Sequence, residues 1–243
     1  MAREILCGTM QLWCNCGAIA VLNEEENVSF WQQCWQRVRV LWWLKALGTM
    51  GFLWIFFAAY LYLLHHAWFR VHLMPMTPVD RWIGFHPEWL WCYVSLWVYV
   101  SLPPALMRNL SELLFYGRQI AAVCLVGLLI FWLYPTAVPQ GAVDWSAFPG
   151  VARLKSLDAA GNAFPSLHVA TAIFSACWLH YLLQQMHAAA SWRLMNVFWC
   201  AAVVYSTLAL KQHVLWDAVG GVVLGGFMAL ISLRKFSHKV IKS

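Results

Sequence analysis

Apolar residues run along this chain in long blocks, not in strict alternation or in narrow helical stripes. Six blocks, at about 46–64, 89–107, 119–138, 165–184, 194–211 and 213–233, each approach the ~20 apolar residues with which a helix crosses a bilayer. No soluble domain fits between them. The longest gaps, about 65–88 and 139–164, carry the Pro, Gly and polar residues of loops. The pattern predicts an all-α polytopic membrane protein, a six-transmembrane-helix bundle over residues 46–233. Pro103-Pro104 should kink or end the second block, because proline lacks the helical N–H. In the last block, Gly221-x-x-x-Gly225 is a spacing for close helix packing, not for chemistry.

The flanks are different. Residues 1–45 form an N-terminal tail in which 28–43, with Trp31, Trp35, Trp42, Arg37 and Arg39, predict an amphipathic helix lying on the membrane. Block 5–22 is diluted by Gly8, Gln11, Asn15 and Gly17; it is expected to be an interfacial or irregular tail, with an extra span or a cleaved signal as the other readings. At the other end, 234–243 is a basic tail whose Arg234, Lys235, Lys239 and Lys242 suit anionic lipid.

Composition sharpens this picture. Hydrophobic residues make up 62% and charged residues 11%, against roughly 45–50% and about 25% in soluble domains. A soluble globule, a disordered chain, collagen and a coiled coil are all excluded. The formal charge of +6 is spread along the chain and forms no basic stripe, so it speaks for sidedness and not for nucleic acid. With six spans, eleven Lys and Arg (Arg3, Arg37, Arg39, Lys45, Arg108, Arg118, Arg193, Arg234, Lys235, Lys239, Lys242) fall on the side of the termini, and five (Arg70, Arg81, Arg153, Lys155, Lys211) fall opposite. That asymmetry predicts cytoplasmic termini, with the starts of the fourth and sixth spans on the outer face. The eight Cys residues show no recurring C-x-x-C pair, so neither a disulfide framework nor a zinc site is expected; Cys14 and Cys16 are a weak metal clip at most.

Three features break the apolar rule in a pattern. Gly161-Asn162-Ala163-Phe164-Pro165-Ser166-Leu167-His168 opens the fourth block. Proline suits a first helical turn, and the amides there, with the Ser166 hydroxyl, form an anion site beside His168. His213-Val214-Leu215-Trp216-Asp217 opens the sixth block, and its i, i+4 spacing brings the carboxylate to the imidazole. A carboxylate at that depth needs a partner; one that fixes a histidine tautomer leaves the other ring nitrogen free to attack or to take a proton. The plain structural readings are an interfacial histidine at a helix start and an ion pair capping a helix. Both histidines open even-numbered spans, however, so they share one membrane face with Lys211, Arg153 and Lys155. Two His, one Asp, helix amides and cations suit the negative charge of a phosphate ester in transfer. The remaining histidines (His65, His66, His72, His180, His187) are expected to be non-catalytic; Asp80 and His86-Pro87 are expected to be structural, with a part in shaping the mouth of the site as the other reading.

P-S-x-H followed some 45 residues later by H-x-x-x-D resembles the type 2 phosphatidic acid phosphatase superfamily, which includes lipid phosphate phosphatases and, more distantly, vanadium haloperoxidases. That family's pattern is K-x6-R-P, P-S-G-H and S-R-x5-H-x3-D on a six-helix bundle. Here Ser206-Thr207, five residues, His213, three residues and Asp217 keep the third spacing. Thr207 stands in place of Arg, Leu167 in place of Gly, and K-x6-R-P is absent. The PSLH form, together with Tyr134-Pro135-Thr136-Ala137-Val138-Pro139, is more similar to the inositol phosphorylceramide synthase branch. The resemblance spans roughly residues 75–230. It implies His213 as nucleophile, Asp217 as its orienting partner, His168 as general acid, and Ser166 and Ser206 as phosphate ligands. Lys211, Arg153 and Lys155 are the candidate phosphate cations on position alone.

The expectation is a phosphatase or phosphotransferase acting on a lipid phosphate or phospholipid at the outer membrane face. It works through a phosphohistidine, with no metal, no cofactor and no nucleic-acid partner. The alternative class is a lipid transporter or a non-catalytic lipid-binding scaffold that keeps the motifs. In that case Asp217 would be a substrate or proton site.

Overall fold

The computed structural model describes residues 29–139, 145–157 and 161–241; the 5–22 block and the Cys14/Cys16 pair lie outside the described residues. Helix α1 (Phe30–Arg39) opens with a capping box. The Gln32 amide donates to the Ser29 hydroxyl at 3.3 Å, and the Ser29 amide donates to the Gln32 side chain at 2.9 Å. α1 leaves Trp31 and Trp35 exposed along one side. The chain continues through α2 (Trp42–His65), β1 (His72–Leu73), α3 (Pro78–Trp82) and a 3-10 turn (Pro87–Trp89). Then come α4 (Leu90–Val94), α5 (Leu96–Tyr99), α6 (Leu102–Ala105), α7 (Leu110–Leu133) and β2 (Thr136–Ala137). A 3-10 turn (Trp145–Ala147), α8 (Pro149–Leu157), α9 (Leu167–Gln185), α10 (Ala190–Ala209) and α11 (Leu215–Ile241) complete it.

Among the described residues, three helices are both long and apolar enough to cross a membrane: α2, α7 and Leu215–Ser237 of α11, with mean hydropathies of 1.8, 2.0 and 1.7. Their exposed Leu47, Met50 and Trp54, Leu125 and Leu129, and Val223, Phe227 and Leu230 would form a large apolar surface in water, and a bilayer is the solvent that suits them. This is a membrane protein. α9 and α10, of 19 and 20 residues, follow the fourth and fifth sequence blocks. The second block departs from one straight helix: it is the bent series α4–α5–α6. Two serines explain the bends beyond what Pro103-Pro104 predicts. Ser95 Oγ donates to the Cys92 carbonyl at 2.6 Å and Ser101 Oγ to the Trp97 carbonyl at 2.8 Å, and such back-bonding bends helices.

α9 is the central element, with Val169, Ala170, Ala172, Phe174 and Trp178 fully enclosed by its neighbours. Its closest partner is α11. A Cβ on Gly221 would stand 2.5 Å from the Ser166 carbonyl oxygen, and one on Gly225 would overlap the Ala170 carbonyl. Only glycine lets the two backbones meet this way, which is the packing role that the spacing predicts. Buried polar pairs add specificity. Tyr99 donates to Asn196 Oδ1 at 2.6 Å, Asn196 Nδ2 donates to the Ala176 carbonyl at 3.0 Å, and Trp178 Nε1 donates to Ser232 Oγ at 2.9 Å. Replacing Trp178 by Phe removes that last donor and part of the ring from a sealed core. A loss of about 1–3 kcal/mol is expected, visible as a lower unfolding temperature in detergent. An unchanged unfolding temperature would contradict this account of the α9–α11 contact.

Candidate active site

The two histidine motifs come together where α9 begins, α10 ends and α11 begins. The α10–α11 turn is tight. Lys211 adopts a left-handed φ of 54°, and the amides of Gln212 and His213 both donate to the Thr207 carbonyl, at 3.0 and 3.2 Å. This reversal sets His213 two residues ahead of α11, its side chain 5% exposed. Two carboxylates then close the start of α11. Asp217 Oδ2 accepts from the Val214 amide at 3.0 Å, and Asp80 Oδ1, from α3, accepts from the Leu215 amide at 2.7 Å. Negative charge at a helix N-terminus is favourable, but these amides are thereby closed to any other anion. Asp80 is fixed in turn by the Thr77 amide and hydroxyl, at 2.7 and 2.8 Å.

The His213–Asp217 pair meets at 3.6 Å between Nδ1 and Oδ2, ion-pair range for a protonated imidazole but longer than a hydrogen bond. Asp217 Oδ1 has no hydrogen-bond partner. The Asp217 carbonyl accepts from the Ser166 amide at 3.0 Å, so the two motifs are bonded to each other through the backbone. On α9, the Ser166 hydroxyl caps the helix by accepting from the Val169 amide at 3.3 Å. His168 follows in the first turn, 6.0 Å from His213 between ring centroids. Its ring stacks on Tyr93 at 4.6 Å and meets the edge of Trp97 at 5.7 Å. The Tyr93 hydroxyl lies 3.4 Å from His168 Nδ1, which leaves Nε2 buried without a hydrogen-bond partner.

Each histidine opens on a different cavity. His213 lines a cavity of about 200 Å³ with Arg81, Lys155, Lys211 and Asp80. His168 lines one of about 660 Å³, walled mainly by apolar side chains of α2, α4–α7 and α9 from Leu44 to Thr171. In the smaller cavity the cations are held in place. Lys211 Nζ donates to the Asp80 carbonyl at 2.7 Å and to the Ile83 carbonyl, tying the end of α3 to the α10–α11 turn. Lys155 Nζ donates to the Lys211 carbonyl at 2.8 Å and sits 4.5 Å from the centre of the Trp145 ring. Among the described residues, no group of three or more His, Cys, Asp or Glu is placed to hold a metal ion.

The placement of the sequence candidates is uneven. His168, His213 and Asp217 come together, with Lys155 and Lys211 beside His213. Ser166, Ser206 and Arg153 are not among the described residues lining either cavity. Ser206 donates its hydroxyl proton to the Val203 carbonyl of its own helix at 2.6 Å. Sequence reasoning did not single out Arg81, Tyr93, Trp97 or Thr136. Thr136 accepts from the Phe164 amide through Oγ1 at 2.8 Å and from the Ala163 amide through its carbonyl at 3.3 Å, which anchors the loop before α9. The Tyr134–Pro139 likeness was the available signal for Thr136. For Arg81, its proximity to Asp80 just after a proline-capped turn was a weak one.

No curated protein and no solved structure matches the chain. The family model described as PAP2 superfamily matches residues 120–240. That stretch holds the whole of α9, α10 and the α10–α11 turn, and with them both histidine motifs and the carboxylate that joins them. The match covers just under half of the chain, and over residues 120–240 the protein is similar to the PAP2 superfamily.

Proposed function

We propose that this protein is an integral membrane lipid-phosphate phosphatase or phosphotransferase, with His213 as nucleophile and His168 as general acid and base. The observation that carries this is the closeness of two histidines that line different cavities. Two histidines 45 positions apart stand 6.0 Å apart between ring centroids, one facing a basic cavity and the other an apolar one. A phosphate joined to a hydrocarbon chain has this two-part character. Its phosphoryl group would sit among Lys155, Lys211 and Arg81, and its chain in the larger cavity. The ~660 Å³ volume is within the roughly 300–1,000 Å³ usual for ligand sites.

In the proposed first step, His213 Nε2 attacks phosphorus while Asp217 faces Nδ1. The bond from phosphorus to the lipid oxygen breaks, and His168 Nε2 gives that oxygen its proton. In the second, His168 takes a proton from water or an alcohol. The resulting oxygen attacks phosphorus, and the phosphorus–nitrogen bond returns its electron pair to His213. Cations in a confined site stabilise the charge that develops on the equatorial oxygens. In this scheme Ser166 caps the start of α9 and Ser206 bonds the Val203 carbonyl of its own helix. The likeness to the inositol phosphorylceramide synthase branch favours an alcohol acceptor. The Lys and Arg asymmetry supports six spans with cytoplasmic termini and this site on the outer face.

The test is phosphoenzyme trapping with a lipid phosphate labelled on phosphorus, quenched in alkali, where phosphohistidine survives. Labelled protein that discharges on adding water or an alcohol is expected. Faster discharge only with the alcohol would select transfer over hydrolysis. Neither label nor phosphate release from any long- or short-chain lipid phosphate would sink the enzyme reading and leave a lipid-binding scaffold.

A further inference from the structure

At the end of the bundle opposite the histidines stands a second group of charges. Lys45, at the start of α2, is buried, and its ammonium donates to three carbonyls: Arg37 at 2.5 Å, Ala105 at 2.9 Å and Met107 at 2.8 Å. These bonds pin α1 to the turn between α6 and α7. Arg37 is 9% exposed, and its Nη1 is buried without a hydrogen-bond partner. Burial, and after it the neighbouring Arg108 guanidinium, draws Arg37 below the usual arginine range. Arg108 itself is half-exposed and bonds Glu112 through Nε at 3.2 Å and through its amide at 2.8 Å. Among the described residues, three cations thus surround one carboxylate, and Glu112 is already engaged by Arg108.

A surplus of about two positive charges, one of them on a buried guanidinium with an unused donor, is unfavourable unless an anion completes it. The setting says which anion. The exposed indoles of Trp35, Trp42 and Trp43 flank the cluster, and indoles concentrate at the depth of lipid head groups. We propose that Arg37 and Arg108, braced by Lys45, bind the phosphodiester head group of an anionic glycerophospholipid, clamping α1 to the bundle at the membrane surface remote from the histidines. Arg37 and Arg108 line neither cavity, although Lys45 also lines the far end of the larger one, and the proposal stands whether or not the enzyme reading holds.

The test uses the full chain in phosphatidylcholine nanodiscs with and without phosphatidylglycerol. Its readouts are the unfolding temperature and the phosphatidylglycerol molecules retained in native mass spectra. One tightly retained phosphatidylglycerol and a higher unfolding temperature are expected. Arg37→Gln and Arg108→Gln should each weaken retention about fivefold, the usual worth of one surface cation toward anionic lipid. Should Arg37→Gln fail to fold, the half-exposed Arg108→Gln decides. Retention unchanged in Arg108→Gln would overturn the proposal. So would an equal loss in the tail variant Arg234→Gln/Lys235→Gln, which would mean diffuse attraction. Inorganic phosphate raising the unfolding temperature as much as phosphatidylglycerol would overturn the lipid assignment. The sequence places three glutamates, Glu24-Glu25-Glu26, shortly before α1; loss of stability in Glu24→Gln/Glu25→Gln/Glu26→Gln with no lipid effect in the wild type would overturn the proposal and assign the counter-charge to them.

Discussion

Replacing His213 by Ala is expected to lower phosphate release from a lipid phosphate by about 10³-fold or more while the protein folds as before. A nucleophile cannot be bypassed by the groups around it, and losses of this order or larger follow its removal in other covalent mechanisms. The fold should survive because the imidazole holds little of it. Its Nδ1 makes no hydrogen bond, and the bonds that close α11, from Leu215 to Asp80 and from Val214 to Asp217, do not involve the ring. The unfolding temperature should therefore move by only a few degrees. A well-folded variant that keeps more than about a tenth of wild-type turnover would exclude the covalent route argued above. Reading rate and stability on the same preparation separates loss of chemistry from loss of protein.

The second large effect contrasts two neighbouring glycines. In Gly225→Ala the new methyl group meets the Ala170 carbonyl and backbone, which have no rotamer to yield, so α9 and α11 must move apart. A cost of about 3 kcal/mol is expected, at the upper end of ordinary overpacking, or a fall of roughly 6–12 °C in unfolding temperature. Activity should fall too, because the same contact holds Ser166 and Asp217 in register. Gly226→Ala adds a methyl group whose nearest neighbour is Ile173 Cγ2 at 3.9 Å. It should be neutral, or stabilising by up to about 1 kcal/mol through helix propensity. Equal behaviour of the two variants would mean that the glycines serve flexibility and not close approach.

Both predictions combine a motif visible in the sequence with a contact visible only in the fold. His168 and His213 were legible because each motif is local: a helix start or a four-residue spacing has the same meaning in any surroundings. The Gly221/Gly225 pair was legible for the same reason. The bent path of α4–α6 was only half legible, since Pro103-Pro104 announces a break but Ser95 and Ser101 bend the chain through hydroxyls that a hydropathy pattern counts as minor polar points. Tyr93 and Trp97, which embrace His168, had no spacing relation to it and could not have been found.

The cations show the limit best. Position alone treated Arg153, Lys155 and Lys211 alike, and passed over Arg81. The fold puts Arg81, Lys155 and Lys211 around the cavity of His213 and leaves Arg153 off its described lining. It also has Asp80 and Asp217 occupy the first amides of α11, so that on this side the charge of a phosphate would fall to side chains. The sequence by itself determined the membrane class, the run of apolar helices, a close helix contact at Gly221 and Gly225 and the two histidine motifs, because these follow from composition and from spacing within one element. Only the tertiary structure decided which charges share a cavity with His213 and that His168, 6.0 Å away between ring centroids, lines a different, apolar one. A cavity is the space that several elements leave between them, and no single element carries its shape.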